Sequence, residues 1–182
     1  MGFKIVDLGL AFVCLSTICF GQGFSTLNDR YAVVIGISNY KDKSLSLKYG
    51  AKDALDIQSS IRKTGRFTDS NIRVLTDSLA TWKNIRKAIV GWLQPRVQKD
   101  DLVLIFFSGH GTQSQDYNQD EEDGMDEYLV PFDYEQGDIS SGICDDEFSS
   151  WIRNLMSTNV LVMLDCCFSG GAAKQKGFSP AG

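Results

Sequence analysis

Leu102-Val-Leu-Ile-Phe-Phe107 runs directly into Ser108-Gly-His-Gly111, and this junction decides the architecture. A continuous apolar run bounded by polar residues predicts a strand covered on both faces, as in a parallel sheet. Upstream, Tyr31-Ala-Val-Val-Ile-Gly-Ile37 has the same character, and Ile72-Arg-Val-Leu75 reads as a shorter strand. Downstream, Val160 to Leu164 reads as the last central strand and ends at Asp165-Cys-Cys-Phe-Ser-Gly170. Helical segments alternate with these strands. Between Leu47 and Ile61, Ala51, Ala54, Leu55, Ile57 and Ile61 recur near helical period. Thr81 is placed to cap a helix carrying Trp82, Ile85, Ile89, Trp92 and Leu93 on one face, stopped near Pro95. After an acidic stretch and a short strand, Tyr128-Leu-Val130, either Asp145 or Asp146 can cap a helix with Phe148, Trp151, Ile152 and Leu155 inward. The alternation predicts an α/β fold, a three-layer αβα sandwich around a mainly parallel central sheet. Sites in such sheets form beyond the carboxyl ends of the strands. Ser108–Gly111 and Asp165–Gly170 are both expected at that edge.

Composition narrows the function classes. The 182 residues fit one domain, and 43% hydrophobic content with no low-complexity run argues against disorder. A net charge of −5 makes a nucleic-acid backbone a poor partner. One His and five Cys without a CxxC exclude the usual zinc frameworks. Neither phosphate-binding glycine motif occurs.

Lys4, the apolar run Leu8 to Phe20 and the small residues around Cys19-Phe20-Gly21 follow the order of a secretory signal peptide over residues 1–21. The run is short for a bilayer span. Export to the periplasm, cell surface or medium is therefore expected, with the membrane encountered only on the way. Residues 28–175 are expected to form the domain and 176–182 a flexible tail. Removal of the leader takes away Cys14 and Cys19 and leaves Cys144, Cys166 and Cys167. An exported chain with thiols but no disulfide framework suggests that one is kept for its chemistry.

A cysteine attacks a carbonyl as its thiolate, and an imidazole can take its proton and return it to the leaving amine. His110 is the sole histidine, so any thiol–imidazole pair uses it, with Cys166 or Cys167. The plain alternatives are a turn histidine satisfied by its neighbours and cysteines buried as small apolar residues. Together the two loops favour the pair.

Ser108-Gly-His-Gly111 followed by Asp165-x-Cys-x-Ser-Gly170 resembles the caspase-like cysteine peptidases, in their metacaspase branch and its bacterial members. The likeness extends from Tyr31 to Gly171 and includes Ala51-Lys-Asp-Ala54, Ile72-Arg-Val-Leu-Thr76, Asp126-Glu-Tyr-Leu-Val-Pro131 and Asp145-Asp-Glu147. It implies an endopeptidase acting on polypeptides, with His110 as base and Cys167 as nucleophile. It implies an oxyanion site at the N–H groups of Gly111 and Cys167, and a pocket for Arg or Lys made by Asp53, Ser108 and Asp165. A carboxylate at a buried edge would select a basic residue strongly. The plainer roles are a strand-end cap for Asp165 and a helix-dipole partner for Asp53.

The resemblance requires no cofactor outright. Calcium activates some members through four acids, and Asp126, Asp145 and Asp146 match three; near the fourth position stands Lys174. A solvated acidic loop over Asp116 to Glu127 is the favoured reading. Phe168 stands where metacaspases usually carry His. Relatives continue into a smaller C-terminal subunit that adds strands and part of the groove, and the chain matches the large subunit alone. The competing expectation from another class is a catalytically silent caspase-like interaction domain, or a large-subunit fragment.

Overall fold

The computed structural model describes residues 29–64, 66–115 and 124–167. The leader, the tail, Phe168 and Lys174 lie outside the described residues, as do 116–123 of the acidic stretch. Strands β1 (Arg30–Gly36), β2 (Ile72–Thr76), β3 (Leu102–Ser108) and β7 (Asn159–Asp165) form a parallel sheet in the order β2-β1-β3-β7. Helix α1 (Gly50–Thr64) covers one face. On the other lie α2 (Trp82–Arg86), its π-helical continuation Lys87–Leu93, and α3 (Asp145–Arg153). The expected αβα sandwich with a mainly parallel sheet is observed.

The apolar strands divide by alternation, since successive side chains point to opposite faces. Val33, Ile35, Val103, Ile105 and Phe107 join Ile85, Ile89, Trp92, Leu93 and Trp151 in the larger core. Ala32, Val34, Leu104 and Phe106 meet Ala54, Ile57 and Ile61 of α1 in the smaller one. Each fully buried Ile or Phe contributes roughly 1.5–3 kcal/mol, so the two cores together lock β1 and β3 in place. Leu55, expected on the inward face of α1, is 51% exposed. The buried positions of α1 are Gly50 and Ala54 alone, with Ile57 and Ile61 partly buried against the sheet.

Three expectations need correction. Val160–Leu164 is not central: β7 is the edge of the described sheet, with Leu161, Met163 and Leu164 exposed. Neither Asp145 nor Asp146 caps α3; Cys144 holds the N-cap position without a side-chain cap bond, and both acids sit in the first turn. The expected strand Tyr128–Val130 is observed as β5 (Met125–Leu129), in a separate antiparallel sheet with β4 (Gly111–Gln115) and β6 (Ile143–Cys144). Asp126 and Glu127 therefore lie in a strand and not in a solvated loop. Thr81 does cap α2, accepting the Asn84 N–H at 3.2 Å.

Candidate active site

The last rung of the parallel sheet is Gly36–Ser108–Asp165. It is closed from above by Ile37 N–H donating to Ser108 O at 2.9 Å and by Gly109 N–H donating to Asp165 O at 3.2 Å. Helix α1 begins immediately over this rung. A Cβ on Gly36 would lie 2.2 Å from Gly50 O, and one on Gly50 would lie 2.5 Å from Ile37 O. Two glycines facing each other thus let the helix N-terminus sit on the strand end, and Asp53 follows in its first turn. The helix dipole favours a carboxylate there.

That seating brings Asp53, Ser108 and Asp165 together. Ser108 is buried, and its Oγ lies 3.5 Å from Asp53 Oδ2 and 3.4 Å from Asp165 Oδ2. One hydroxyl proton can serve only one carboxylate at a time. Among the described residues, neither acid forms an ion pair with a Lys or Arg. All three line a cavity of about 520 Å³ that His110, Cys166 and Cys167 also line. Asp165 is exposed, not set in a buried edge, so solvent screens it more than the sequence argument supposed.

The two neighbouring thiols differ. Cys166 packs against the main core; burial, with the nearby Cys167 and Asp165, pushes its thiol up to about 11. Cys167 is exposed at the cavity. His110 follows the end of β3. Its Nε2 lies 2.9 Å from the carbonyl oxygen of Leu45, its ring lies beside Tyr40, and its backbone oxygen accepts from Val130 N–H at 3.0 Å. A carbonyl only accepts, so Nε2 carries the proton and Nδ1 holds the free lone pair. Gly111 is buried at the start of β4, paired in register with Leu129, and does not line the cavity.

Sequence reasoning missed Leu45, Lys48, Tyr49 and Tyr40. Leu45 acts through a main-chain atom, which no side-chain pattern announces. Lys48 and Tyr49 also line the cavity, with Lys48 Nζ 5.2 Å from the Tyr49 ring centre. Tyr40, just past the end of β1, stands at the sheet edge where sites form, and this was its one available signal.

The acids compared with a calcium site fall elsewhere, beside α3. Asp126 of β5, Cys144 and Asp145 direct ligand atoms to within 4.8 Å of one another; Asp146 is not in this group. Cys144 Sγ donates to Asp145 Oδ1 at 3.3 Å, and burial raises its thiol above the ordinary value. Calcium takes six to eight oxygen ligands, whereas thiols suit softer metals. Among the described residues, two carboxylates around a thiol that donates to one of them do not fit a calcium cage.

The model of the metacaspase, peptidase C14 domain matches residues 30–175. This chain belongs to the metacaspase family. Metacaspase-3 of Arabidopsis thaliana is 38% identical over 154 residues, 80% of this chain and 41% of that protein. Metacaspase-1 of Plasmodium falciparum is 32% identical over 159 residues, 82% of this chain and 25% of that one. The chain thus spans less than half the length of these metacaspases. A crystal structure of a protein from Geobacter sulfurreducens superposes with a TM-score of 0.62 at 27% identity, covering 78% of this chain and 51% of the other. These two metacaspases come from a plant and a protozoan, and the affinity to bacterial members expected from the sequence is not shown by them.

Proposed function

We propose that this metacaspase chain carries the catalytic machinery of a cysteine endopeptidase that cuts polypeptides after Arg or Lys. The observation that carries the reading is one cavity lined by the sole imidazole, an exposed thiol and two carboxylates that form no ion pair among the described residues. His110 Nδ1 takes the proton of Cys167, and the imidazolium that forms remains hydrogen-bonded to Leu45 O. The thiolate adds to the scissile carbonyl, the imidazolium protonates the departing amine, and water then releases the acyl group from Cys167 by the reverse proton path. The N–H groups of Cys167 and Gly111 are the candidate oxyanion donors, and of these two residues only Cys167 lines the cavity itself. Asp53 and Asp165, joined through Ser108, receive the guanidinium or ammonium of the substrate.

The same reading includes a partner. β7 ends the described sheet with an unpaired edge and exposed Leu161, Met163 and Leu164, which supports a strand-bearing C-terminal part or small subunit docking there. Export rests on residues 1–21 and remains part of the proposal.

The test is incubation of the full chain with an Arg-directed covalent thiol probe, followed by peptide mapping. Cys167 is expected to carry the label; Cys167→Ala removes it and Cys166→Ala keeps most of it. Label on Cys166, or equal labelling by an Asp-directed probe, overturns the assignment.

A further inference from the structure

We propose that Tyr40 is a positioning residue that fixes the His110 imidazole by holding its backbone and its ring at the same time. Tyr40 is wholly buried and does not line the cavity. Its phenol oxygen accepts the His110 backbone N–H at 2.8 Å. Its ring lies 5.3 Å from the imidazole centre, tilted by 40°. Gly109 makes room for this: a Cβ there would stand 2.8 Å from the phenol oxygen. With Val130 on the His110 carbonyl and Leu45 on Nε2, the residue is held at its N–H, its carbonyl, one ring nitrogen and one ring face.

The holding loop is itself tied down. Asp77 Oδ1 accepts the N–H groups of Ser38 and Asn39, each at 2.8 Å, and its Oδ2 accepts Asn39 Nδ2 at 3.1 Å. Asp77 adopts φ of 47°, a left-handed conformation that costs a non-glycine residue and persists where surrounding contacts impose it. On the other side of Tyr40, Lys41 N–H donates to Phe132 O at 3.0 Å, and Leu47 N–H donates to Ser38 O at 2.7 Å. The segment from Ser38 to Leu47 therefore delivers Tyr40 and the Leu45 carbonyl to the same histidine. Burial holds the phenol protonated, well above its usual value, so it stays a neutral acceptor through the working pH range. A buried hydroxyl set against main chain is retained when it satisfies a group that would otherwise be orphaned.

The proposal rests on the reading of His110 as the base, and the experiment separates the two. His110 is the only histidine, so ¹⁵N-histidine labelling of the full chain reports one imidazole without assignment. The wild-type spectrum is expected to show a single Nε2-protonated tautomer; a freely averaging imidazole overturns the proposal before any variant is made. In folded Tyr40→Phe, which keeps the ring and loses the acceptor, the tautomers are expected to mix. Cys167 alkylation at neutral pH should then slow by about tenfold or more, as misplacement of a catalytic group does, with its pH profile moved toward that of His110→Ala. An unchanged spectrum and profile in Tyr40→Phe beside an altered His110→Ala profile overturns the role of Tyr40 and leaves the dyad standing. If His110→Ala leaves alkylation unchanged, the dyad falls, and the nitrogen spectrum alone decides Tyr40.

Discussion

Among the described residues, two groups of acids each surround one short side chain, and they differ in how far their neighbours satisfy them. Asp53 and Asp165 flank the hydroxyl of Ser108 from positions 55 and 57 residues away in sequence. Asp126 and Asp145 flank the thiol of Cys144, one of them its immediate neighbour. In the first group a single proton cannot satisfy two carboxylates, and neither forms an ion pair among the described residues. In the second, the thiol already donates to Asp145 and Tyr128 also hydrogen-bonds Cys144, so the acids have local partners. Negative charge by itself thus says little. What matters is whether the surrounding donors consume it.

The largest expected effect comes from unseating the helix that carries Asp53. Gly36→Ala drives a methyl group into Gly50 O and Ala54 Cβ. It should cost on the order of 3 kcal/mol, roughly a hundredfold in the folded-to-unfolded ratio, read by urea unfolding. A variant as stable as wild type would mean that the glycine contact does not set the place of Asp53. The next effect is on selectivity. Asp165→Asn should lower the ratio of labelling rates between Arg-directed and Asp-directed probes by about tenfold, less than a desolvated pair would give, because Asp165 is exposed. Asp145→Asn should leave that ratio alone; a matching loss in both variants would erase the distinction between the two groups. The smallest effect is expected from calcium. Adding it at millimolar concentration, or removing it with a chelator, should move neither the thermal midpoint nor the rate of Cys167 labelling. A clear rise in either would make the Cys144 group a working site and reverse the comparison.

Much of the fold was legible because β1 and β3 are buried on both faces, and continuous apolar runs leave few alternatives. The carboxyl ends of β3 and β7 then placed His110 and the Asp165–Cys167 segment at one edge. β7 was misjudged for the same reason. Val160 to Leu164 is as apolar as a central strand, yet sequence cannot say whether a neighbour covers it. The helix α3 start was misread because two consecutive acids suit both a cap and a first turn, and the backbone turned one residue earlier, at Cys144. The pairing of Gly111–Gln115 with Met125–Leu129 had no strong alternation to reveal it.

The sequence by itself determined the layer architecture, the sole imidazole and the two candidate thiols, because hydrophobic period and residue chemistry are local properties. Tertiary structure decided which atoms meet. It packed Cys166 against the core and left Cys167 exposed, seated α1 on Gly36 so that Asp53 reached Ser108, and brought Tyr40 and the Leu45 carbonyl onto His110. Those contacts depend on close packing between segments distant in the chain and on main-chain groups that every residue shares. Residue type carries no record of either.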